Sequence, residues 1–488
     1  MRATASSERS KRTTGDLTVS EREDRKGGRE KLASRLGFIL LSAGCAIGIG
    51  NVWRFPYVAG RSGGGWFVAI YFICLALLGI PVLTMEFAAG RAAQRSIAKI
   101  HETLTPKRRA WRFHGLLGSL ALMILMMFYT TVTAWMVIYF FKTACGSFAG
   151  LTPEQVGAAF GGPGGMLSDP ITLIYVMTGV CLSAVGICAI GIQKGLERVT
   201  KWLMLALLVL IVALAFNSLT LKGAMEGVRF YLVPNLENVR KVGLLKVIVE
   251  AMNQAFFTLS LGIGSMAIFG SYIGKDRSLL GESLHVAALD TVVAIAAGLI
   301  ILPACFAFGL EPGQGPGLVF VTLPNVFNQM SGGRFWGSLF FLFMSCAALT
   351  TVLAVFEGII ASVRDFTGWG RGQACALLAV AIPYLSVPCI LGFNLWKGFE
   401  PLGPGTCVLD LEDFVVSNVA LPLGGLLFVL YCCHRFGWGW RNFLAETNAG
   451  HGVKLPAFLR GYCAYVLPVI VGSILVLGLL RKFCGIEI

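Results

Sequence analysis

The sequence predicts an all-α polytopic membrane protein whose spans form two inverted repeats of five, and three observations carry that expectation. The 488 residues are 56% hydrophobic and only 14% charged, with a mean hydropathy of +0.74, too apolar for a soluble protein of this size. About eleven apolar runs can cross a hydrocarbon layer roughly 30 Å thick, centred near residues 47, 77, 128, 179, 208, 258, 295, 349, 382, 424 and 470. The first and sixth of these runs are both interrupted by glycine and polar residues. Two interrupted spans in corresponding positions of two halves point to an inverted-repeat carrier with its site at the repeat interface.

Residues 1–30 are polar and charged and read as a disordered cytoplasmic tail. Residues 31–220 form the first repeat, spans 1–5, and residues 221–435 the second, spans 6–10 with outer loops. Residues 436–488 add a cytoplasmic loop and span 11. A cytoplasmic N-terminus places most of the 40 Lys and Arg inside, in keeping with the positive-inside rule, and the odd span number sends the C-terminus out. The net charge of +14 is thus a topology signal, and no nucleic-acid partner is needed to explain it. The expected location is the cell (inner) membrane. The fourteen cysteines lack metal-ligand spacing and read as small packing residues, while Cys145 and Cys407 both lie near outer loops where a pairing is open to them.

Span 1 runs from about Gly37 to Gly60 and holds Gly44, Gly48 and Gly50, then Asn51, Arg54 and Pro56. Each glycine costs about 1 kcal/mol relative to alanine in a helix interior, and proline breaks a helix outright. Broken backbone at membrane depth is tolerated only where it lines a polar cavity or is buried in protein. Span 6 repeats the pattern with Gln254, Thr258, Ser260, Gly262 and Gly264. Small-residue packing explains Gly44 and Gly48, but leaves Gly50, Asn51 and Arg54 unaccounted for.

The polar residues match the needs of a hard cation. Sodium takes oxygen ligands, and Asn51, Thr258, Asp290, Thr350 and Thr351 supply them beside freed carbonyls of residues 44–47 and 347. Asp290 carries most weight, because an acid at mid-membrane costs about 3 kcal/mol on insertion scales. A half-helix starting near Gly50 offers free amides and a positive dipole end to a carboxylate. Freed carbonyls just before it suit an ammonium, so a zwitterionic amino acid fits both. Arg54 with Asp413 at one face, and Arg29 with Asp365 at the other, are candidate gates.

The runs Gly44-Cys-Ala-Ile-Gly-Ile-Gly-Asn-Val-Trp-Arg-Phe-Pro-Tyr and Gln254-Ala-Phe-Phe-Thr-Leu-Ser-Leu-Gly resemble the signatures of the neurotransmitter:sodium symporter family. The likeness spans residue 29 to the end of span 11, and eleven spans resemble the bacterial branch with its leucine-transporter-like fold. It implies a first sodium held by the Ala46 carbonyl, Asn51, Thr258, Asp290 and the substrate carboxylate. A second sodium is implied at the carbonyls of Gly44, Ile47 and Ala347 with the hydroxyls of Thr350 and Thr351. The substrate carboxylate would meet the amides of Ile49 and Gly50 and the Tyr129 hydroxyl. Its ammonium would meet the carbonyls of Ala46, Phe257 and Thr258, and Ser260. Leu125, Tyr129, Phe257, Ile263, Thr351 and Val355 would line the side-chain pocket.

Amine carriers of the family have an Asp where this chain has Gly48, so the resemblance implies a neutral, hydrophobic amino acid. Asp290 stands where the leucine transporter has Asn, and a fixed carboxylate there replaces the chloride that animal relatives bind through positions matching Tyr71 and Gln254. Leu32 replaces the Trp usual three residues after the position of Arg29. The expected activity is therefore sodium-coupled, chloride-independent symport by alternating access, without enzymatic chemistry or an organic cofactor. The alternatives are a proton-coupled carrier using Asp290 or Glu86 and a non-transporting amino-acid sensor.

Overall fold

The computed structural model describes residues 31–310 and 316–484. The expected tail at 1–30, and Arg29 with it, lie outside the described residues. Among those described, nine continuous helices are long and apolar enough to cross a membrane. They are Gly65–Ala93, Arg109–Ala144, Pro170–Ala189, Ile192–Leu219, Leu279–Ala307, Gly333–Thr367, Arg371–Leu391, Val408–Cys433 and Ala457–Phe483, hereafter spans 2–5 and 7–11. The remaining two spans are the broken ones.

Span 1 consists of Arg35–Ala46 and Gly50–Arg61, bent by 57° across the unwound residues between them. Pro56 lies in the first turn of its final helical segment, where the missing amide is harmless. Span 6 consists of Leu244–Thr258 and Ser265–Gly270. Its intervening loop holds Gly262 at φ +97° and Gly264 at φ +77°, a left-handed backbone that other residues adopt only with strain. The loop is not left unsatisfied, since the buried Glu86 carboxylate of span 2 accepts from the Gly262 amide.

Spans 3 and 8 form the spine of the bundle: 78% and 83% of their apolar windows are buried, against 28% for spans 5 and 11. They pack along each other, and span 8 also packs on the inner half of span 1. Both breaks therefore sit among protein rather than lipid, as unpaired backbone requires. All fourteen cysteines are free thiols, so Cys145 and Cys407 do not pair.

Candidate functional site

Three buried side chains from three spans converge beside the break in span 1. Asn51 Nδ2 donates to Asp290 Oδ1 at 2.8 Å and to the Asp290 carbonyl at 3.2 Å. Thr258 Oγ1 donates to Asp290 Oδ2 at 2.9 Å. Asn51 Oδ1 in turn faces the Gly48 amide at 3.4 Å. Asp290 is wholly buried, and this cluster presents carboxylate, amide and hydroxyl oxygens with lone pairs to spare, the donor set of a hard cation.

A second cluster gathers the ends of the broken helix against span 8. Thr351 Oγ1 lies 3.2 Å from the Gly44 carbonyl, 3.3 Å from that of Ile47 and 3.4 Å from that of Ala347. Thr350 Oγ1 donates back to the Ala347 carbonyl at 2.8 Å, the usual habit of a membrane-helix threonine. Three carbonyls thus gather around the Thr351 hydroxyl, and the Thr350 hydroxyl shares one of them.

Against the break in span 1, and reaching Thr351 of the second cluster, lies a cavity of about 150 Å³. Its wall includes Ala46, Gly48, Ile49, Gly50, Leu125, Tyr129, Phe257, Ser260, Ile263 and Thr351. Of the residues expected around the substrate side chain, Val355 is not part of this wall but is buried one helical turn beyond Thr351. The Thr258 hydroxyl, expected at the first sodium, bonds to Asp290. The Ile49 amide donates to the Tyr129 hydroxyl at 3.0 Å, so that hydroxyl already stands at the half-helix amides. Gly48 is required by this packing: a Cβ there would lie 2.3 Å from Tyr129 Oη and 2.8 Å from Thr351 Oγ1.

Sequence reasoning missed Cys45, Trp53, Phe128, Val132, Leu409, Val416 and Leu421, which also line the cavity. The signal was available for some of them. Leu125, Phe128, Tyr129 and Val132 follow the i, i+3, i+4, i+7 spacing of one helical face, and Leu409, Asp413 and Val416 share a face likewise.

Of the two expected gates, the Arg54–Asp413 pair falls within the described residues and is altered, whereas Arg29 of the other lies outside them. Arg54 and Asp413 both border the cavity but make no direct ion pair. The Arg54 guanidinium lies over the Phe257 ring at 4.2 Å, and Asp413 accepts from Ser417 Oγ at 2.7 Å. The ring face attracts the cation, and the serine one turn on satisfies the acid, so each has a nearer partner. At the other face Asp365 is held by Arg95 at 3.3 Å and by the Ser96 amide and hydroxyl at 2.8 and 2.6 Å. An unforeseen ion pair lies nearby, where Glu357 of span 8 receives Arg371 Nη2 at 2.5 Å and the Tyr272 hydroxyl at 2.6 Å. Leu32 packs against the core as a partly buried side chain. Tyr71 and Gln254 are buried, and Gln254 Nε2 donates to the Gly50 carbonyl at 3.4 Å.

The model of the sodium:neurotransmitter symporter family matches residues 29–151 and 165–483. The chain belongs to this family. It is 36% identical over 399 residues to a sodium-dependent transporter, YhdH, of Bacillus subtilis (strain 168), covering 82% of this chain and 86% of that one. A sodium-dependent transporter of Haemophilus influenzae is 30% identical over 451 residues, covering 91% and 96%. Among solved structures, MhsT in complex with L-phenylalanine superposes with a TM-score of 0.81 at 37% identity, covering 92% of this chain and 99% of that one. The protein is accordingly a multi-pass membrane transporter of the symporter family, with the two-repeat fold and the broken spans 1 and 6 that the sequence announced.

Proposed function

We propose that the protein couples the inward movement of one neutral, hydrophobic amino acid to sodium, without chloride. The convergence of Asn51, Thr258 and Asp290 beside the cavity carries this reading. One sodium would sit with these three side chains, the Ala46 carbonyl and the substrate carboxylate. The other would sit with the carbonyls of Gly44, Ile47 and Ala347 and the hydroxyls of Thr350 and Thr351. The substrate carboxylate would take the Ile49 and Gly50 amides and the Tyr129 hydroxyl, and the ammonium would take the carbonyls of Ala46, Phe257 and Thr258, with Ser260.

The side chain of the substrate would rest among Leu125, Phe128, Tyr129, Phe257 and Ile263, an apolar wall that disfavours charged amino acids. Lacking an acid at Gly48, the site leaves the first sodium to be completed by the substrate itself, which favours an amino acid over an amine. The likeness to a transporter solved with L-phenylalanine supports that class. Asp290 supplies the fixed negative charge that makes chloride unnecessary. Arg54 and Asp413 would close the outer path by moving together, and Asp365 would take part in the inner closure, Arg29 being its expected partner. The two repeats would fall at 31–220 and 221–435, in the cell (inner) membrane with the N-terminus inside and the C-terminus outside.

One observation favours a second reading, a proton-driven carrier: Glu86 is a buried acid set directly on the loop of span 6. Uptake of labelled amino acid into proteoliposomes separates the two. A sodium gradient alone must drive accumulation on the first reading, and a proton gradient alone on the second.

A further inference from the structure

The inner half of span 1, Arg35–Ala46, is joined to the outer half only through the unwound residues after Ala46, so what holds its far end governs whether it can move alone. That end is held from span 5. Glu197 Oε2 accepts from the Ala33 amide at 2.8 Å, and Oε1 accepts from the Ser34 hydroxyl at 3.0 Å and from Lys201 Nζ at 2.6 Å. Ser34 is itself the helix cap, with Oγ accepting from the Gly37 amide at 3.0 Å. The carboxylate thus completes a cap at the positive end of the helix dipole.

The packing is cut to fit this carboxylate. A Cβ on Gly37 would lie 2.0 Å from Glu197 Oε1, and the Glu197 side chain is only 2% exposed. The second tether, Arg35 to Glu282 of span 7 at 2.9 Å, has its guanidinium 43% exposed and is the weaker for it. The inner half carries the Gly44 carbonyl and ends at that of Ile47, whereas Asn51 belongs to the outer half.

We propose that Glu197 is a positioning residue that latches the inner half of span 1 to span 5. Its release frees that half-helix and loosens the Gly44, Ile47, Ala347 and Thr351 cluster, leaving the Asn51, Thr258 and Asp290 cluster in place. The sodium consequence rests on the proposed function; the latch itself does not.

The test uses the full chain in lipid nanodiscs, comparing wild type with Glu197→Gln by amide hydrogen exchange and by sodium-titrated phenylalanine binding. Loss of buried charge-assisted hydrogen bonds should raise exchange across residues 33–46 about tenfold, with span 7 unchanged as the internal reference. The half-saturating sodium concentration should rise with it. Unchanged exchange at 33–46, or an equal rise in span 7, overturns the latch. If Glu197→Gln does not fold, Lys201→Met removes only the ammonium and must give a smaller rise confined to the same segment; its absence overturns the proposal too. A wild type without sodium-dependent phenylalanine binding defeats the proposed function, while the exchange result still decides the latch.

Discussion

Asn51 of span 1 and Asp290 of span 7 are joined side chain to side chain at 2.8 Å, fastening the outer half of the broken helix to the middle of an unbroken one. An acid buried this deeply needs donors or a cation, and Asn51 and Thr258 supply two hydrogen bonds without neutralising it. Asp290→Asn keeps the shape and removes the charge. Sodium-driven uptake should then fall about tenfold in chloride-free buffer, the loss of one charge-assisted contact, and recover in part when chloride is restored. Uptake of labelled amino acid measured with chloride and with gluconate checks this, and equal rates in the two would contradict it.

Thr351→Val preserves volume while removing the hydroxyl that lies within 3.4 Å of three carbonyls. The protein should remain folded, and the half-saturating sodium concentration should rise about tenfold, the effect of one lost ligand or hydrogen bond. A sodium titration of phenylalanine binding reads this directly.

Gly48→Ala tests the packing over the half-helix. The added methyl would meet the Tyr129 hydroxyl at 2.3 Å, so the tyrosine must leave the Ile49 amide or the backbone must shift. Amino-acid binding should drop by at least about tenfold, with an overpacking cost of about 1–3 kcal/mol in stability. A thermal-shift titration separates the two effects. Full retention of affinity would mean that the carboxylate does not bind here.

A pH dependence follows from His101, which lies outside the spans in the short helix Ile97–Leu104. It is buried, its Nε2 lies 3.0 Å from His114 Nδ1, and rings of Trp111, Phe428 and Tyr431 surround it. Burial first, and the neighbouring His114 second, hold its pKa well below the ordinary 6.5. The unfolded chain therefore binds a proton that the folded one refuses. Stability is full above pH 6.5 and is lost as pH falls below it, by up to about 1.4 kcal/mol per pH unit for one proton. Melting temperatures in detergent between pH 8 and about pH 5 check this; His101→Gln should flatten that part of the profile.

Much of this architecture is written in local composition. The apolar runs around Ile70–Leu83 and Leu205–Phe216 lie in helices long enough to cross a membrane, and the glycines at 48, 262 and 264, each disfavouring a helix by about 1 kcal/mol, fall where the structure breaks it. Asp290 is legible because an acid there has no bland explanation. Less legible is anything decided by which of several partners a side chain chooses. Arg54 prefers the Phe257 face to Asp413, because rotamer and helix-phase details decide such contacts. The Glu357–Arg371 pair and the His101–His114 pair join residues 14 and 13 apart across turns between elements, a juxtaposition that helical spacing does not encode.

The most direct test of the central reading is accumulation of labelled phenylalanine by proteoliposomes in chloride-free buffer at equal internal and external pH. An inward sodium gradient should drive concentrative uptake, and replacing external sodium with potassium should abolish it. Accumulation that persists without sodium, or that appears only under a proton gradient, would contradict the account.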